Sequence, residues 1–162
     1  MKVMLINRQD KIDLDLELVK KASKYISNKF DNEDGCELNI IFVGKKEIKE
    51  LNKKYRNTDR VTDVLSFSYS DDDLVNFEES ADKFKDINGF TTIGEIIICP
   101  EAAEEYSKTQ KEMWNLNLEI LLLIIHGLLH IYNYDHEKKE DTIKMESIQN
   151  SIFRDVKSVF KL

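Results

Sequence analysis

The chain has 162 residues, 41% of them hydrophobic, which fits one globular domain over residues 1–162 with enough apolar material for a real core. Its charged fraction of 34% is mixed in sign and no long polar tract suggests disorder, and a net charge of −7 argues against a generic nucleic-acid coat while leaving local basic surface open. Cys36 and Cys99 form no C-x-x-C pair and imply no disulfide framework. The first eleven residues lack the apolar core of a signal peptide, and the apolar run Leu118 to Tyr132 is too short for a membrane span. The expectation is a soluble, cytoplasmic domain.

In chain order, Lys2 to Asn7 reads as a strand. Leu14, Leu18, Ala22, Tyr25 and Ile26 recur at helical spacing behind Asp13, the expected N-cap. Asp34-Gly35 marks a turn, and Glu37 to Val43 a second strand. Lys45 to Arg56 reads as a two-faced helix, with Ile48, Leu51 and Tyr55 inward and Lys45, Lys49, Lys53 and Arg56 along another face. Such a row is ordinarily a solvated face; beside a metal centre it would suit the backbone of a phosphodiester substrate.

Val61 to Ser68 is the next predicted strand, followed by an acidic stretch, Asp71 to Asp86, that reads as a long surface loop. Ile93 to Cys99 forms a further strand, and Pro100, the chain's single proline, falls at the first position of a helix whose Ala102, Ala103 and Tyr106 are expected to face the core. Asn115 or Asn117 caps the next helix. Ile143, Ile148, Ile152, Val156, Val159 and Phe160 then define a long amphipathic C-terminal helix. The order β-α-β-α-β-β-α-α-α predicts an α+β fold, a mixed sheet with helices packed on it.

The chemistry concentrates in His126-Gly-Leu-Leu-His130-Ile-Tyr-Asn-Tyr-Asp-His136, which holds all three histidines of the chain. Residues four apart on a helix share one face, so the rings of His126 and His130 can converge on one ion. His136 reaches it only if the chain turns, and Asn133 stands where a residue tolerating positive φ would end the helix. Three imidazoles with an open fourth position describe a catalytic zinc, which can lower the pKa of water and polarise a phosphoryl or carbonyl oxygen. The spacing is that of metzincin proteases, but those read H-E-x-x-H, with the glutamate as general base. Gly127 occupies that position here and has no side chain to act.

These residues carry a resemblance. The segment His126 to His136 is similar to the signature H-G-x-L-H-L-x-G-Y-D-H of the YbeY family of bacterial endoribonucleases. Leu51-Asn-Lys-Lys-Tyr-Arg56, Thr62-Asp-Val-Leu-Ser-Phe67 and Ile93-Gly-Glu-Ile96 match its other blocks in the right order, with Asn133 in place of a glycine and Glu95 in place of an aspartate. The resemblance implies a metal-dependent endoribonuclease preferring single-stranded RNA. It implies a role in ribosomal RNA processing, notably maturation of the small-subunit 3′ end, and in ribosome quality control, with the ribosome or its proteins as partners. It also implies one zinc ion on His126, His130 and His136, an essential Arg56, and a mostly parallel four-stranded sheet with about five helices in a metzincin-like core.

Arg56 suits a phosphate because its planar, permanently charged fork pairs with two oxygens. Lys53 and Ser66 are further candidates for substrate contact. Asp135 reads as a structural carboxylate. Two other functions use the same residues: a zinc metallopeptidase, opposed by Gly127, and a non-catalytic ribosome-biogenesis factor with structural zinc.

Overall fold

The structure, a computed structural model, describes residues 1–30, 35–69, 90–110, 114–134 and 139–162. Strands β1 (Lys2–Asn7), β2 (Cys36–Phe42), β3 (Val64–Ser68) and β4 (Thr91–Ile98) form one sheet in the order β1-β2-β4-β3. The pairs β1–β2 and β2–β4 are parallel, and β3 joins the edge antiparallel to β4. Around them lie α1 (Leu16–Ser27), α2 (Lys45–Arg56), α3 (Pro100–Ser107), α4 (Leu116–Ile131) and α5 (Lys139–Phe160). The predicted α+β order is the observed one. No helix among the described residues is long and apolar enough to cross a membrane.

Both faces of the sheet are covered, which is why the central strands read as nearly continuous apolar runs rather than alternating ones. Leu38, Ile40, Phe42, Ile96 and Ile98 turn to the main core, where they meet residues of α1, α4 and α5. Ile41, Leu65, Ile97 and Cys99 turn the other way, against Ile48 of α2 and Ala102 of α3. Helix α4 is the central element. Leu118, Ile120, Leu121, Ile124, Ile125, Leu128 and Leu129 are all buried, so hydrophobicity extends around most of its circumference.

Several local expectations shift. Asp15, not Asp13, caps α1, its carboxylate accepting the Leu18 N–H at 2.9 Å. Leu14 packs on the core ahead of the helix, and the buried stripe is Val19, Ala22, Ser23 and Ile26. The strand expected from Val61 starts at Val64, the first residue paired with β4. Tyr55 is 53% and Tyr106 51% exposed rather than inward. In each case the inward positions are an i, i+4 pair beside them, Ile48 and Asn52 in α2 and Ala103 and Ser107 in α3. Ile143 and Val159 also face outward, because α5 buries Met145, Ile152, Phe153 and Val156 instead. Asn115 caps α4 and Pro100 opens α3 as expected. The acidic stretch Asp71 to Asp86 lies outside the described residues.

Candidate metal and phosphate site

Helix α4 ends in a hydrogen-bond pattern that fixes the turn from His130 to Tyr134. The N–H of Asn133 donates to the His130 carbonyl at 3.0 Å and that of Tyr134 to the Leu129 carbonyl at 2.9 Å. This is a Schellman motif, which needs a left-handed residue at its bend. Asn133 supplies it, with φ of 59°. Asparagine enters that region more readily than other residues bearing a Cβ. The chain is thereby turned sharply after the second histidine, as the spacing to His136 requires. His136 and Asp135 themselves lie outside the described residues.

The two rings upstream approach each other closely. His126 and His130 are half-buried, edge to face, with their Nε2 atoms 3.1 Å apart. Nitrogens at that separation either share a proton or face a common cation. A tetrahedral ion with bonds of about 2.0–2.1 Å holds its ligand atoms roughly 3.3–3.4 Å apart. Behind His126, Nδ1 lies 3.0 Å from Oε1 of Gln149 on α5. An amide oxygen only accepts, so Nδ1 carries the proton and Nε2 presents its lone pair to the cleft. Metal-binding imidazoles are prepared in this way. The donors thus fit zinc. Among the described residues no group of three His, Cys, Asp or Glu side chains is gathered for a metal. The third predicted donor is the one outside the description.

The opposite wall comes from α2 and β3. Ser66 pairs with Ile96 in the β3–β4 register, and both belong to the sheet face that α4 covers. Arg56, the last residue of α2, donates from Nη2 to the Ser66 carbonyl in a long hydrogen bond of 3.4 Å. Of the predicted basic row, Lys45 pairs with Glu105, while Lys49 and Lys53 lie 3.5 and 3.0 Å from the carboxylate of Asp59. The hydrogen bond from Lys53 and the charge of Lys49 hold Asp59 below the usual carboxylate range. Among the described residues Arg56 alone in that row has no ion pair. Arg56, Arg60, Ser66, His126, His130 and Tyr134 line one cleft of about 680 Å³, and Lys53 does not.

Arg60, Asn52 and Gln149 are the residues that sequence reasoning passed over. Asn52 is buried; its side-chain amide donates to the Arg60 carbonyl at 2.9 Å, and its backbone carbonyl accepts the N–H groups of Asn57 and Thr58. It ties down the loop that follows Arg56. A polar residue amid the apolar i, i+4 positions of α2 and of α5 was the available signal for Asn52 and Gln149. Arg60 had none, since only the fold brings its loop to the cleft.

The cleft thus brings two arginines and two neighbouring imidazoles together, a set with the chemistry to take an anion beside a cation. The sequence model described as Endoribonuclease YbeY matches residues 4–157. The chain belongs to the YbeY endoribonuclease family. It is 35% identical over 155 residues to an Endoribonuclease YbeY of Clostridioides difficile, covering 94% of each chain. With that of Finegoldia magna it shares 31% over 157 residues, covering 95% of this chain and 93% of the other. The solution structure of a Thermotoga maritima protein superposes with a TM-score of 0.60 at 26% identity, covering 98% of this chain and 91% of that one. The YbeY match spans the blocks that supply Arg56, Ser66, His126 and His130, so the cleft is built from the parts the family resemblance rests on.

Proposed function

We propose that this YbeY-family chain is a zinc-dependent endoribonuclease that cuts single-stranded RNA during ribosomal RNA processing, with the ribosome or its proteins directing it to its target. His126, His130 and His136 hold the ion. When bound, zinc supplies Lewis acidity to water or to a phosphoryl oxygen. The chain's own residues do the rest. Arg56 pairs with the non-bridging oxygens of the scissile phosphate, and its bond to the Ser66 carbonyl aims the guanidinium into the cleft. Ser66 flanks that phosphate from the sheet edge. Gln149 keeps the proton of His126 on Nδ1, away from the ion.

The observation that carries this reading is the meeting of Arg56 with His126 and His130 in one cleft, in a chain of this family. The peptidase reading has no comparable support. Its general base would extend from position 127, where a Cβ would lie 3.0 Å from three side-chain atoms of Ile96. The test is cleavage of an unstructured RNA by the zinc-loaded wild type, His126→Ala and Arg56→Ala, with folding checked by circular dichroism. Wild type is expected to cut and to stop on chelation. Folded His126→Ala is expected to lose both metal and activity, and Arg56→Ala activity alone. A metal-loaded wild type that leaves RNA intact, or folded variants that cut normally, would overturn the proposal.

A further inference from the structure

A second depression, of about 580 Å³, opens on the far side of Tyr134. Asn133 and Tyr134 line both it and the cleft that holds the histidines, so the two are contiguous across the Schellman turn. Its walls are aromatic and charged. Phe30 and Tyr132 stack with ring centroids 4.9 Å apart and planes 24° from parallel. Lys144 holds its Nζ 5.6 Å from the centre of the Tyr134 ring. Lys29 also lines the depression, but its ammonium is engaged by Asp155 at 2.8 Å. Lys144 forms no ion pair with a described residue, and Asp141 stands one turn before it on α5.

We infer that this depression is a nucleotide subsite, taking a residue of single-stranded RNA that flanks the one cut in the histidine cleft. The inference rests on the nuclease reading above and names where the rest of that substrate runs. Phe30, Tyr132 and Tyr134 give the depression an aromatic wall for a base to pack against, a contact that tolerates any sequence but requires an unpaired strand. Lys144 offers one cation to a phosphate. Asp141 makes the pocket a poor trap for a free anion, yet its carboxylate accepts hydrogen bonds from a ribose hydroxyl or a base amino group. Aromatic wall, single cation and single carboxylate match the three parts of a nucleotide. The Tyr134 N–H bond to Leu129 fixes the ridge over which the strand passes.

The test uses zinc-loaded full-length protein and a 12-nucleotide unstructured RNA carrying 2-aminopurine at successive positions. Binding is read by anisotropy and stacking by fluorescence quenching. Lys144→Ala and Tyr132→Leu are expected to weaken binding roughly tenfold each, and Tyr132→Leu to abolish quenching at one position. KM for the 12-mer should rise with kcat unchanged, while cleavage of a dinucleotide stays at the wild-type rate. Lys144 is exposed on α5, so its replacement keeps the test valid should Tyr132→Leu fail to fold. Wild-type affinity and quenching in folded Lys144→Ala would overturn the subsite. RNA that binds with this dependence but is never cut would retain the subsite and remove the nuclease reading; RNA that neither binds nor is cut removes both.

Discussion

Gly127 presses its backbone onto Ile96 so closely that an added Cβ would lie 3.0 Å from the Cγ1, Cγ2 and Cδ1 atoms of that side chain. The position that carries a glutamate in peptidases of similar spacing is thus the contact between α4 and β4. Ile96 is fully buried and cannot move aside freely. Gly127→Ala gains about 1 kcal/mol of helix propensity and loses about 1–3 kcal/mol to overpacking. A net loss is expected in urea denaturation, and the overpacking part should vanish in an Ile96→Ala background. Gly127→Glu adds a buried carboxylate and should be far more costly, without conferring peptidase activity.

Gln149 is predicted to set zinc affinity although it is not a ligand. Gln149→Leu removes the acceptor of the His126 Nδ1 proton, freeing the ring to turn and to change tautomer. Loss of such a partner typically weakens metal binding about 10–100-fold. Competition against a chromophoric chelator measures this directly, and Gln149→Glu, which keeps an acceptor, should retain tight binding. Equal affinity in all three proteins would leave Gln149 a packing residue.

How much of this was legible depended on whether a residue's partner lay nearby in sequence. The α4 helix, its Asn115 cap and its left-handed Asn133 follow from local rules, because each partner is within five residues. The convergence of His126 and His130 is equally local. Which face of a helix is inward was less legible where hydrophobic residues lie on more than one side. Tyr55, Tyr106, Ile143 and Val159 are all more than half exposed, because the packing of α2 and α3 on the sheet, and of α5 on α1 and α4, decides it. The neutralisation of the lysine row was hidden for another reason. Glu105 lies 60 residues from Lys45, and Asp59 meets Lys49 and Lys53 only because the chain reverses after Asn57.

That neutralisation is testable. Asp59→Asn releases Lys49 and Lys53 from the carboxylate that holds them. Affinity for single-stranded RNA is expected to rise at low salt. Each lysine that then meets a phosphate steepens the dependence of log K on log salt by about 0.7. Titrations at several salt concentrations read the slope. An unchanged slope would mean that the RNA path does not reach this face of α2, in keeping with the absence of Lys53 from the cleft.

Glu119 sits on α4 seven residues before His126, only 1% exposed, with the Trp114 Nε1–H donating to its carboxylate at 2.6 Å. Burial pushes its pKa above the ordinary glutamate value, the nearby charge of Asp63 adds to the rise, and the Trp114 bond opposes it. A carboxyl whose folded pKa exceeds its unfolded one binds more protons in the native state. Stability therefore falls as pH rises from the ordinary glutamate range through the raised value, and the penalty is complete above it. Glu119→Gln removes the charge and keeps an oxygen for Trp114. The variant should melt above wild type at pH 7 and show a smaller advantage at pH 4, as followed by thermal denaturation across that range. An advantage that grew toward low pH would show instead that Glu119 is stabilised in its charged form, with the Trp114 bond outweighing burial.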